Sequence, residues 1–233
     1  MSDHRPPRPG LAAHRGPGLR GALLLLVVLA SSPSARASDP VFEARTYLDL
    51  SLVRPLLPKA DPTLTLGPFV REESRFRDEG LVLLKSSAGL RATLRPWLRA
   101  ALYYAHQDQL ATGRRQTHLA SLDVFAHAAL GPVVIGDKSG FEAHASDRFF
   151  RYRNALEVKW TPTGAPLSPF VNAELRVDSD SARVELYDVW VGLEIRPPVA
   201  LSLRVFYGLE GNRRGKPAWG TLHMLGVALN AKL

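Results

Sequence analysis

The chain has no cysteine among its 233 residues. That excludes a disulfide scaffold, a thiolate metal site and a cysteine nucleophile, and it suits an oxidising compartment. It also lacks an apolar run of the roughly 20 residues that a helix needs to cross a bilayer. The apolar run at residues 21–30 is only about half that long. No stretch beyond it shows a convincing 3.6-residue period, so helix is confined to the first segment and a turn or two. The net charge of +8 is largely misplaced: residues 1–37 hold Arg5, Arg8, Arg15, Arg20 and Arg36 against Asp3 alone. Without them 25 basic and 21 acidic residues remain, a charge of +4. With no supporting motif, that excess argues against nucleic-acid binding. Apolar residues at 45% and charged residues at 22% exclude wholesale disorder. The length suits one barrel or sandwich.

Residues 1–20 are basic, rich in Pro and Gly and nearly free of acid; the apolar run follows, then Ala35-Arg36-Ala37. A charged start, a short apolar centre and small residues at −3 and −1 make a secretory signal peptide, with a membrane anchor as the competing reading. The expected division is a signal at 1–37 and one β-domain at 38–233.

The dominant pattern after it is period two. Tyr187, Val189, Val191, Leu193 and Ile195 alternate with Asp188, Trp190, Gly192 and Glu194, and the chain turns at Arg196-Pro197-Pro198. Proline fixes its own φ and has no donor for a ladder. Leu201, Leu203, Val205 and Tyr207 return against Ser202, Arg204 and Phe206. Similar units run through Leu90–Leu94 and Leu98–Tyr104, and along Leu122–Leu130, Phe150–Trp160 and Val171–Val177. Eleven segments are expected, near 43–52, 63–76, 80–94, 97–106, 115–130, 133–144, 149–160, 168–178, 183–196, 199–209 and 219–232. Single-chain bacterial barrels have an even count. Ten or twelve strands are therefore expected, with the error at the N-terminal end.

A soluble sandwich turns such apolar stripes inward, and a membrane barrel turns them outward to lipid. Three features favour the barrel. The polar stripes carry Arg91, Arg95, Arg99, Arg151, Arg153, Glu157, Glu174, Arg176, Glu194 and Arg204, with Trp97, Tyr103, Phe125, Trp190 and Phe206 among them. Bulky aromatics among pairable charges suit a narrow lumen. Tight turns alternate with longer polar loops at 106–115, 145–148, 178–183 and 208–217, although 161–167 breaks the pattern. Leu225, Val227, Leu229, Ala231 and Leu233 alternate to the end of the sequence, as in a strand read by the outer-membrane assembly machinery. Tyr104, Tyr152, Trp160, Tyr187 and Tyr207 near strand ends would form aromatic girdles.

The hairpin at 89–104, the strand Arg148-Phe149-Phe150-Arg151-Tyr152-Arg153, the hairpin from Val191-Gly192-Leu193 to Val205-Phe206-Tyr207, and the final 222–229 strand also carry a likeness. Together with 64–77 they resemble the bacterial outer-membrane barrel family catalogued as domain of unknown function 2490. The resemblance implies location and fold, and no activity.

Catalytic signals are sparse. His106, His118, His127, His144 and His223 form no H-x-x-x-H pair, and neither a nucleophile elbow nor a phosphate loop is present. His127 is expected inside, on the same face as Asp123. The one rim cluster with hydrolase residue types is His144, Ser146 and Asp147. Arg114, Arg115, Arg213, Arg214 and Lys216 fall on outer loops, where they could neutralise lipopolysaccharide phosphates.

The expectation is therefore an all-β, antiparallel up-and-down transmembrane barrel of ten to twelve strands, exported by the general secretory pathway to a Gram-negative outer membrane. It would be a monomer in contact with membrane lipid, lipopolysaccharide and the assembly machinery, with no cofactor, no metal and no catalysis. The ten arginines and glutamates above would line a mostly filled lumen. Its role would be structural, or narrow transport of a small solute. The alternatives are a rim-located lipid hydrolase and a soluble periplasmic barrel holding an apolar ligand.

Overall fold

The computed structural model describes residues 41–57, 61–111, 114–197, 200–213 and 220–233. The expected signal and its cleavage site lie outside them. The described residues are all-β, with no helix. The strands are β1 (Val41–Ser51), β2 (Arg54–Leu57), β3 (Asp61–Arg77), β4 (Gly80–Arg95), β5 (Leu98–Gln109) and β6 (Arg115–Leu130). They continue as β7 (Val133–His144), β8 (Phe149–Trp160), β9 (Leu167–Asp178), β10 (Arg183–Ile195), β11 (Leu201–Asn212) and β12 (Gly220–Lys232).

β3 to β12 pair in sequence as an antiparallel meander, and β1 fills the remaining gap. It runs antiparallel to β3, from Ala44↔Phe76 to Ser51↔Phe69. It runs parallel to β12, from Val41↔Leu222 to Ser51↔Lys232. The result is a closed barrel of eleven strands, β1 and β3 to β12. This corrects the even count. Evenness holds only while every neighbouring pair is antiparallel; an odd ring must contain one parallel pair, and here it is β1–β12. The segment near 43–52, at the end where the miscount is expected, is a barrel strand. The parallel pair also places Val41 and Leu233 at opposite ends.

The sequence pattern missed β2. After a break at Leu52 and Val53 it continues the course of β1 along β3, pairing Arg54 with Leu66. Among the described residues β2 pairs with β3 alone, so Pro55, which cannot donate, is tolerated there. All eleven barrel strands have at least 11 residues. A tilted strand needs about 9–11 to cross a hydrocarbon core.

Two ends can be named from their connections. At the turn end, Pro96 and Trp97 join β4 to β5, and Gly131 with Pro132 joins β6 to β7. Gly131 has a φ of 60°, a left-handed conformation that costs glycine little. At the loop end β5 leads to β6, β7 to β8 through 145–148, β9 to β10 through 179–182 and β11 to β12, and the tight Asp78-Glu79 turn joins β3 to β4 there too.

The alternation decides what faces where. Leu90, Leu102, Leu122, Phe141 and Tyr152 are cross-strand neighbours on β4 to β8. All five are exposed, Leu102 at 61%. Val158, three outward positions further along β8 than Tyr152, starts a second run with Val171, Val191, Tyr207 and Leu225 through β9 to β12, again on the outside. Their polar sequence neighbours point inward and are largely buried, Asp188 at 0% and Asp123 at 1% exposure. The barrel is thus polar inside and mainly apolar outside, with a polar patch on the wall where Asn154 donates to Asp137 at 3.0 Å and to Ser139 at 3.3 Å. Trp97 and Trp160 stand exposed at the turn end, and Phe42, Phe76 and Phe150 at the loop end, whereas Tyr104 and Tyr207, expected near strand ends, sit in the middle of β5 and β11. Trp97 is a correction to the expected interior face: it belongs to the turn after Arg95, where alternation no longer fixes direction.

Candidate functional site in the barrel interior

Inward positions supply nearly every buried charge. In the loop-end half these form a tight lattice. Arg153 on β8 donates to Asp123 Oδ1 at 2.9 Å and to the Tyr103 hydroxyl at 3.1 Å, and its Nε lies 3.1 Å from Glu142 Oε1. Arg176 on β9 reaches Glu174 at 2.5 Å and Asp188 at 2.9 Å. Arg45 on β1 donates to Glu43 at 2.6 Å and to Glu210 at 2.5 Å. Arg151 grips Asp178 with two bonds, of 2.5 and 2.9 Å. Such forked, charge-assisted pairs are what compensate burial of guanidinium and carboxylate.

Aromatics fill the space between the ion pairs. Trp190 stacks on Phe206, centroids 5.0 Å apart. Small inward glycines make this possible: a Cβ on Gly226 would overlap the Phe206 ring, and one on Gly208 would lie 2.5 Å from Trp190 Cδ1. Glycine in a strand commonly marks such a close approach.

The turn-end half is looser. Asp49 accepts from both Arg71 (2.7 Å) and Arg91 (2.8 Å). Arg204 donates to Glu157 at 2.7 Å and to Glu194 at 2.8 Å, and Lys159 donates to Glu194 at 3.1 Å. The side chains of Arg71 and Arg204 are each 27% exposed, whereas Arg45 at the other end is fully buried. Arg99 has no acidic partner among the described residues; its guanidinium lies 6.0 Å from the Phe125 ring.

The structure places the sequence-derived residues accordingly. Arg151, Arg153, Glu174 and Arg176 stand in the tight lattice, and Arg91, Arg99, Glu157, Glu194 and Arg204 in the looser half. Arg95 is a correction: its side chain is 65% exposed at the turn-end rim, 3.9 Å from Asp61. It is the last residue of β4, beyond a register shift between Thr93 and Arg95. Sequence reasoning missed Glu43, Arg45, Asp49, Arg71, Glu142, Asp188 and Glu210. Their stripe positions carried the signal, since each sits on the polar parity of its strand.

The rim cluster does not assemble. His144 is buried, stacks on Phe149 at 4.2 Å and lies 3.1 Å from Glu142. The Ser146 hydroxyl accepts from the His118 amide at 3.1 Å, and Asp147 pairs with Arg115. No hydrogen bond or ion pair joins His144, Ser146 and Asp147 among the described residues. Beside them is a shallow depression of about 460 Å³ walled by Tyr104, Ala120, Ala143, Phe149 and Phe150. Of the basic loop residues, Arg114 lies 3.5 Å from Asp108 and Arg213 donates to the Val184 carbonyl at 2.7 Å. Arg214 and Lys216 lie outside the described residues. His127 faces inward, as Asp123 does, but Asp123 is held by Arg153 and Lys138 instead. Among the described residues no group of three or more His, Asp and Glu is placed to hold a metal ion.

No protein-family model, curated protein or solved structure matches the chain.

Proposed function

We propose that this chain is an outer-membrane β-barrel protein with a plugged lumen, and that its role is structural rather than that of an open pore. The carrying observation is two runs of exposed apolar cross-strand neighbours on the barrel wall, Leu90 to Tyr152 across β4 to β8 and Val158 to Leu225 across β8 to β12. In water such a wall forfeits about 25 cal/mol for each Å² of apolar surface left wet. In hydrocarbon the cost vanishes, and the closed ladder leaves few backbone groups unpaired. Aromatic residues near both margins of the wall suit the two interfaces. The buried lattice around Arg153, Arg176 and Arg45 leaves little width for solute.

Export by the segment at 1–37 to a Gram-negative outer membrane completes the proposal, as does the resemblance to the uncharacterised outer-membrane family. The chain would act as a monomer embedded in lipid and lipopolysaccharide. The commitment of Ser146 to a main-chain amide favours a non-enzymatic role.

Fractionation of cells producing the full chain tests location: recovery in the outer membrane, with different gel migration before and after boiling, is expected. Release with the periplasm without detergent would overturn it in favour of the soluble barrel. In planar bilayers the purified protein is expected to be silent, and steady ion-conducting steps would sink the plug.

A further inference from the structure

The two halves of the interior differ in charge as well as in packing. In the turn-end half the inward cations are Arg71, Arg91, Arg99, Lys159, Arg204 and Lys232, and the inward acids are Asp49, Glu157 and Glu194. The acids are already shared: Asp49 serves two arginines, and Glu194 serves Arg204 and Lys159. Glu157, the acid closest in effect to Arg99, is held by Arg204. Lys232, exposed at the mouth of this half, likewise has no ion pair among the described residues; its charged neighbours are Arg99, Arg91, Asp49 and Glu194.

Two buried nitrogens of this half, Arg99 Nε and His127 Nδ1, have no hydrogen-bond partner among the described residues. Buried polar atoms are rarely left so. The registers bring their side chains together. Arg99 sits opposite Thr93 and Phe125, so Arg91 and His127 are its diagonal neighbours on the same inward face. There is room beside them. A Cβ on Gly136, opposite His127, would meet only the Ala126 carbonyl oxygen, at 3.9 Å. Two inward positions further along β7 the space closes: at Gly140 a Cβ would lie 2.7 Å from Asp123 Oδ1. Between Gly136 and Gly140 the interior beside β7 thus passes from open to packed.

We propose that the turn-end half is a blind vestibule that binds a small multivalent oxyanion of phosphate type from the aqueous phase. The anion would accept charge-assisted bonds from Arg99 and from the donors that Arg91 does not spend on Asp49, with His127 adding a ring donor and Lys232 closing the open side. The lattice around Arg153 stops it from passing through. The site concerns the interior alone, so it does not rest on the barrel being in a membrane.

The test uses the full-length folded protein in a phosphate-free detergent, titrated calorimetrically with inorganic pyrophosphate. Saturable binding that weakens with added salt is expected. Arg99→Gln should weaken it at least about tenfold, the loss of one charged hydrogen bond. That variant breaks no ion pair and should keep wild-type heat-modified migration. Gly136→Leu, which fills the space without changing charge, should abolish binding, and Arg114→Gln at the loop end should leave it unchanged. Absence of saturable binding in the wild type, or equal affinity in Gly136→Leu, overturns the proposal. A drop in Arg114→Gln as large as in Arg99→Gln overturns it too, because it would mean diffuse attraction to a basic protein.

Discussion

The main-chain amide of Leu233 donates to the carbonyl of Ser51 at 2.8 Å, and the Val53 amide returns a bond to Leu233 at 3.2 Å. Residues far apart in sequence thereby lock the parallel seam between β12 and β1. Parallel pairing is slightly less stable per residue than antiparallel pairing, so this seam is the natural weak line of the ring. Deleting Leu233 removes both bonds, each worth about 0.5–1.5 kcal/mol. The folded, fast-migrating band should then convert to the unfolded one at a lower temperature. Leu233→Ala keeps both main-chain bonds and should convert as the wild type does.

Arg153 holds Asp123 and Glu142 at once, and those two carboxylates are 1% and 3% exposed at the side chain. Removing the guanidinium takes from both acids their shared partner in a low-dielectric interior and leaves Asp123 with Lys138 and Glu142 with His144 and Arg151. Arg153→Leu should lower unfolding free energy in urea by about 3–5 kcal/mol. Arg95→Leu at the exposed rim should cost under about 1 kcal/mol. Equal losses in the two variants would mean that the lattice is not the stabilising element.

The contrast between Arg153 and Arg95 also marks how far the sequence is legible. Strict alternation from Leu90 to Leu94, or from Tyr187 to Ile195, fixes both the strand and its polar face, because side chains on a strand point alternately to opposite sides. Eleven segments are visible for that reason. Alternation fails where a ladder shifts register, as after Thr93, and it fails in turns, which is why Arg95 and Trp97 depart from the expected interior face. Closure is harder still. The direction in which β1 meets β12 depends on hydrogen bonds between residues some 180 positions apart, such as Val41 and Leu222, and no local pattern encodes it. The partners within the lattice are hidden too: parity puts Arg176 inside, but only the folded register gives it Asp188.

Gly226 is legible only in three dimensions. The ring of Phe206 occupies the place where its side chain would be, so that a Cβ there would overlap Cζ of the ring. Gly226→Ala should destabilise the barrel by about 1–3 kcal/mol through overpacking. Adding Phe206→Leu to that variant should recover part of the loss, whereas the same second change in the wild type should only destabilise. Additive effects in the double variant would separate the two residues.

The parallel seam makes a topological prediction. Val41 and the 145–148 loop lie at one end, and Leu233 at the other. An epitope inserted just before Val41 and another beside Asp147 should be labelled from the same side of the membrane in intact cells. A tag after Leu233 should be reached only when the opposite side is opened. Labelling of the Val41 and Leu233 tags from one side would contradict the parallel pairing of β1 with β12.

The oily wall itself can be challenged by a single charge. Leu225 is 61% exposed, pairs with Ala44 and Tyr207, and faces away from the interior. On a water-soluble barrel Leu225→Arg would be nearly neutral, because an exposed leucine loses no packing and a guanidinium is well hydrated. In a bilayer the same change should cost about 2–4 kcal/mol near the midplane. Its inward neighbour in sequence, Met224, is fully buried, so Met224→Ala should destabilise in either setting by about 2–5 kcal/mol through the space it leaves. Refolding yield into lipid vesicles and into detergent separates the cases. Leu225→Arg should fold poorly into vesicles and well in detergent, and Met224→Ala should lose stability in both. Wild-type vesicle folding by Leu225→Arg would place the wall of leucines and valines in water.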